Sequence, residues 1–256
     1  MKEMSPLSHL RRWVCLQSSV LLVVSIAGLA DPSPSPSEIK VLPGFKVSIA
    51  AASPLVDYPM MACLDDRGRL YIAESDGRNL TTREEIEKER PRFVRRLVDQ
   101  DGDGVYDTST IFADEMTMPE GGLWHQGALY IISAPYLWRL EDLDDDGVAD
   151  KREKILGSME FDGRANQHGP YLGPNGRLYF TGGHFGYDLI GSDGSRSGVS
   201  RAAGVFSCWP DGRDVRVEGQ GGVNPVDVVF TPNGDMLSTC AIFDSFGGRR
   251  HDALIH

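Results

Sequence analysis

The chain has 256 residues, 41% of them apolar, with 29 Gly and 15 Pro. That length allows one large core or two small ones, and the composition suits a turn-rich globular protein rather than a disordered one. A formal net charge of −11 leaves no basic stripe to meet phosphates, so nucleic acid is excluded as an expected partner.

The first thirty residues read as an address. Lys2, Arg11 and Arg12 precede the apolar run Val20 to Ala27, and Gly28-Leu29-Ala30 supplies small residues for cleavage. Together they predict a signal peptide over 1–30 and an exported product, periplasmic or secreted. The apolar run is shorter than the about 20 residues that a membrane span needs. Asp31-Pro32-Ser33-Pro34-Ser35-Pro36-Ser37 then makes 31–40 an extended Pro/Ser-rich linker.

Residues 41–256 carry a repeated hairpin. Asp65-Asp66-Arg67-Gly68-Arg69-Leu70-Tyr71-Ile72 is a glycine turn followed by a short apolar strand. The same shape returns at Trp124–Ile131, Gly173–Phe180 and Thr231–Leu237, with glycines at 68, 127, 176 and 234. Strand, Asn-Gly-type turn, strand is a hairpin signature. Its recurrence every 50-odd residues predicts an all-β fold, a β-propeller with about four blades present. A sandwich would require no such period. Helical periodicity is confined to Thr82–Arg90, which is charged all round and reads as a short exposed insertion. The final Ala253-Leu254-Ile255-His256 falls within a strand-like stretch, so the expectation is a propeller incomplete at its C-terminus and six blades in the whole.

Two acidic runs lie between predicted strands. Residues 99–107 read DQDGDGVYD and residues 142–150 read DLDDDGVAD. Oxygens at loop positions one, three, five and nine, with glycine at six and a carbonyl at seven, can wrap a calcium ion. In the first copy these are Asp99, Asp101, Asp103 and Asp107, with Val105 giving the carbonyl. In the second they are Asp142, Asp144, Asp146 and Asp150, with Val148, and Glu153 stands at position twelve. Carboxylates about 5 Å apart repel by roughly 3 kcal/mol per pair at an effective dielectric of 20. An ordered loop therefore wants a cation, whereas an exposed loop can let water screen the charge. Strand flanks argue against a helix-loop-helix sensor, so the expected role is structural.

Beyond the signal the cysteines are Cys63, Cys208 and Cys240, an odd number at scattered spacings. They read as small buried residues rather than a disulfide framework or zinc site. No C-x-x-C-H haem motif, P-loop or strand-to-helix dinucleotide motif is present.

Gly44-Phe45-Lys46-Val47 through Ala51-Ala52, the two acidic loops and the Gly-Arg-Leu-Tyr hairpins resemble the membrane-bound dehydrogenase family of planctomycetes and their relatives. The resemblance covers about residues 41–256. It implies a propeller similar to soluble quinoprotein glucose/sorbosone dehydrogenases, oxidising a sugar or polyol with pyrroloquinoline quinone. It also implies a cytochrome acceptor, with haem c only in a C-terminal module beyond this sequence. Within it, His168 ahead of Gly173-Pro174-Asn175-Gly176 resembles the general base that takes the substrate hydroxyl proton, a task that suits imidazole. His184 is a weaker candidate of the same sort. Asn224 in Gly222-Val223-Asn224-Pro225 matches a cofactor-contacting asparagine. Val223 replaces the expected arginine, and Ser238-Thr239-Cys240-Ala241 lacks the acid-Gln-Gly-Pro turn of that family. A second reading is a non-catalytic, calcium-stabilised propeller that binds carbohydrate or a partner protein.

Overall fold

Each predicted glycine turn closes a hairpin. The computed structural model describes residues 39–161, 167–243 and 250–256; the predicted signal peptide lies outside them. Gly68, Gly127, Gly176 and Gly234 all take φ between +80° and +90°, a region that only glycine enters without steric cost. At the second turn Gln126 also has φ +50°, and His125 pairs directly with Ala128, as in a two-residue turn that matches strand twist.

The hairpins seed four antiparallel sheets. The first runs in sequence order through β1 (Pro59–Leu64), β2 (Leu70–Ser75), β3 (Arg92–Val98) and β4 (Thr108–Met116). Between β2 and β3 lies α1 (Arg83–Glu89), which Thr82 and Glu85 close with a reciprocal capping box. Contrary to the all-exposed reading, α1 buries Ile86 against Met118, Ala134 and Phe161. The second sheet holds β5 (Leu123–His125), β6 (Ala128–Ser133), β7 (Tyr136–Glu141) and β8 (Lys151–Met159). The third holds β9 (Gln167–Leu172), β10 (Leu178–Gly182), β12 (Gly204–Cys208) and β13 (Arg216–Gln220). Its connection sends β11 (Tyr187–Ile190) back to pair with β8, stitching the third unit to the second sheet. The fourth comprises β14 (Asn224–Phe230), β15 (Met236–Phe243) and β16 (Arg250–Ile255).

The core is layered between sheets. Tyr71, Val94, Phe112, Leu129, Ile131 and Leu140 fill the space between the first and second. Ile132, Leu137, Leu178, Phe180 and Phe206 do so between the second and third. Tyr179, Val205 and Val228 join the third to the fourth. Ala50, Ala51 and Val56 cover the other face of β2, so the second strand of each of the first three sheets is covered on both faces, which is why β2, β6 and β10 are near-continuous apolar runs rather than alternating ones. The first strands β1, β5, β9 and β14 are successive neighbours, the arrangement of propeller blades around an axis. Among the described residues no helix is long and apolar enough to cross a membrane.

Candidate active site

His168 is the second residue of β9, and Thr181 of β10 is its cross-strand partner. Both side chains are buried. The next residue, Gly169, has φ +105° and receives the backbone of the neighbouring unit. A Cβ placed on Gly121 would sit 2.5 Å from the Gly169 oxygen. That approach brings Glu120 beside the imidazole, with His168 Nδ1 and Glu120 Oε2 4.0 Å apart, too long for a hydrogen bond. Glu120 is anchored through its amide, which donates to Ile132 O at 2.9 Å.

Arg92 enters from the first sheet and donates from Nη1 to Thr117 O at 2.7 Å. Asn224 heads β14 of the fourth sheet, and the preceding Val223 donates its amide to Ala241 O at 2.8 Å. His184 Nδ1 lies 3.3 Å from Val223 O. Asp227 accepts from the Tyr171 hydroxyl at 2.8 Å. A run of polar groups thus draws Arg92, His168 and Asn224 from the first, third and fourth sheets and Glu120 from the segment leading into the second.

Burial dominates the electrostatics. It pushes the Glu120 carboxyl up to about 7, with Arg92 opposing, and it pushes the Arg92 guanidinium down. It also holds the His168 ring below its ordinary 6.5, with Asp227 and Asn224 acting the other way. Asn224 is close enough to favour the charged ring, yet no aligned hydrogen bond joins it to Nε2, which has no partner among the described residues. At neutral pH His168 is therefore held as the free base. Glu74, more deeply buried than Glu120, is satisfied by the amides of Asp57 and Tyr58 and by Arg95.

Among the described residues, Arg92 Nε, Gln167 Oε1, His168 Nε2, Thr181 Oγ1 and Asn224 Oδ1 are all buried without a hydrogen-bond partner. Orphans of this kind are rare in native structures and call for an explanation such as a polar ligand. All five belong to the ends of strands on one side of the sheets: the starts of β3, β9 and β14 and the finish of β10. Arg92 from the first sheet, His168 from the third and Asn224 from the fourth are the groups that could hold a polar cofactor at this end of the sheets. Sequence reasoning singled out His168 and Asn224 but missed Arg92, Glu120, Gln167 and Thr181. The signal in the sequence that could have found Glu120 is the Gly121-Gly122 pair after it, since paired glycines permit a close backbone approach.

The acidic loops lie at the other end. Residue 92 begins β3 and residue 98 leads into the first loop, so roughly 20 Å of strand separates it from Arg92. Carboxylate oxygens of Asp99, Asp101 and Asp107 lie within 4.8 Å of one another, as do those of Asp142, Asp144 and Asp146. Asp103 and Asp150 are outside these groups. Asp103 accepts from Val105 N, and Asp150 from Leu143 N; Val148 N donates to Asp146. Glu153 also lies outside the second group; it sits in β8 opposite Arg139, 3.4 Å from Lys151 Nζ. An open groove of about 610 Å³ at this end is lined by His125, Tyr130, Arg139, Glu153 and Trp209.

The structure is similar to the PQQ domain of a pyranose dehydrogenase from Coprinopsis cinerea, with a TM-score of 0.57 and 16% identity. It is equally similar to a carbohydrate-active enzyme of family AA12 from Trichoderma reesei, with a TM-score of 0.57 and 14% identity. In both cases the match covers 86% of this chain and 53% of the other, so the chain spans about half the length of these structures. At such identities the likeness is one of fold. No curated protein matches the chain. A family model described as "Domain of unknown function (DUF7133)" matches residues 31–240, and the chain belongs to that family.

Proposed function

We propose that this chain is the propeller part of an exported oxidoreductase that oxidises a hydroxyl of a sugar or polyol, with His168 accepting the hydroxyl proton. The observation that carries this reading is the buried imidazole with an unpartnered Nε2, flanked by the orphaned Asn224 Oδ1 and Thr181 Oγ1. A ring kept neutral by burial is a competent base near pH 7. Asn224 and Arg92 orient the bound groups, and Glu120, which gives up its proton only near pH 7, balances the positive charge that His168 gains once it is ionised. Pyrroloquinoline quinone, when bound, supplies the two-electron acceptor, and a cytochrome or dye takes the electrons onward. The fold shared with a PQQ domain supports the cofactor class, whereas Val223 in place of an arginine leaves fewer cations for its carboxylates.

The test is dye-linked oxidation of a sugar and polyol panel by the full-length protein supplied with the quinone and calcium. His168→Ala should lower kcat by about 10² to 10⁴, the usual contribution of a general base. The acid limb of kcat/KM should fall below the ordinary histidine value of 6.5. Saturable sugar binding without turnover would instead support the second reading, a carbohydrate-binding propeller, for which the groove beside Trp209 is the surface to probe.

A further inference from the structure

The two acidic loops share a spacing but not a hydrogen-bond pattern. In the first, both oxygens of Asp99 are taken, Oδ1 by Gly102 N and Oδ2 by Gly104 N. In the second, Asp142 Oδ2 accepts from Gly147 N at 2.9 Å and from Arg96 Nη1 at 3.0 Å. Its Oδ1 has no partner among the described residues, although the side chain is only 4% exposed. The difference has a cause in sequence. Where the first loop has Gly102, the second has Asp145, whose side chain turns away to Arg67, Arg69 and Arg96 of the first sheet. Asp142 is thus left with a desolvated anionic oxygen within a group of three carboxylates. Arg96 pairs with Oδ2, but leaving the second oxygen of a buried carboxylate without any partner is still costly. Oxygens ranged around an ion at 2.3–2.6 Å are at most about 5 Å apart, which accommodates the spacing of Asp142, Asp144 and Asp146 within 4.8 Å.

The same loop is an inter-sheet contact. Ala149 N donates to Phe112 O at 2.8 Å, and Thr110 Oγ1 to Gly147 O at 3.1 Å. With the arginines around Asp145, these bonds tie the β7–β8 connection to β3 and β4. We propose that residues 142–150 bind a calcium ion through Asp142, Asp144 and Asp146, and that occupying this site locks the second sheet onto the first. The inference is independent of catalysis at the far end of the sheets.

Calcium chloride titrated into EDTA-treated full-length protein, read by calorimetry and by thermal melting, tests it. The expected Kd is on the order of 10⁻⁴ to 10⁻³ M or tighter, the range of extracellular calcium modules, and Tm should rise with occupancy. Asp144→Asn and Asp101→Asn are matched probes. Both residues are exposed, and each accepts one amide bond within its loop, so neither change disturbs the apo fold. Asp144→Asn should weaken the Tm-raising site by about tenfold or more through loss of ligand charge, while Asp101→Asn leaves it in place. No calcium-dependent rise in Tm, or any other pattern between the two variants, overturns the assignment.

Discussion

Glu120 holds a proton that the unfolded chain would release. Its carboxyl rises from an ordinary 4.5 to about 7 through burial, so between these values the folded state binds more protons than the unfolded one. Its contribution to stability is then complete below about pH 4.5 and is lost as pH rises through about 7. Glu120→Gln removes the titration while keeping the shape. Wild-type Tm should therefore fall more than that of the variant between about pH 5 and about pH 8, with about 2–4 °C expected per kcal/mol in a domain of this size. Equal slopes in thermal melts would refute a buried, ionisable Glu120. His168 follows the same desolvation logic with opposite sign, because burial disfavours its charged form and leaves the base free.

At the scale of elements, a backbone contact places the site. The segment entering β5 passes so close to β9 that Gly121 has no room for a side chain, and a Cβ there would meet both O and N of Gly169 at 2.5 and 2.8 Å. Backbone cannot move aside as a flexible side chain can. Gly121→Ala should cost about 1–3 kcal/mol, as other overpacking changes do, and should shift β9 with His168 on it. The denaturant midpoint measures the first effect, and a fall in kcat with the fold retained measures the second. An alanine variant of unchanged midpoint would show that the two segments do not touch. The α1 insertion obeys the same economy of space. Seven residues long, it is too short to persist alone, and its single buried Ile86 holds it against the start of the second sheet.

Across the whole molecule, stability is graded by how many layers cover a sheet. Strand β10 is buried along its length between β9 and β12. Strand β16 pairs with β15 alone and leaves Leu254 66% exposed. Hydrogen exchange measured by mass spectrometry should find β16 amides at least about tenfold faster than those of β10, and equal protection would mean that another segment covers that edge. The ends of the sheets also differ, orphaned polar groups lying at one and acidic loops at the other. Much of this was legible in the sequence, because turns and strands are local. Gly68, Gly127, Gly176 and Gly234 announce their hairpins through φ, and buried runs such as Ala128–Ser133 announce two-sided packing. The spacing of the acidic loops likewise announced paired carboxylates within each loop. What the sequence could not decide was which distant groups meet. Arg92, Glu120, His168 and Asn224 are scattered over more than 130 positions and gather only because the four sheets stand side by side. The unequal state of Asp99 and Asp142 was equally hidden, since it depends on arginines that a neighbouring sheet brings to Asp145. Local steric preference wrote the blades, and desolvation between them, a property of the assembled sheets alone, made the site.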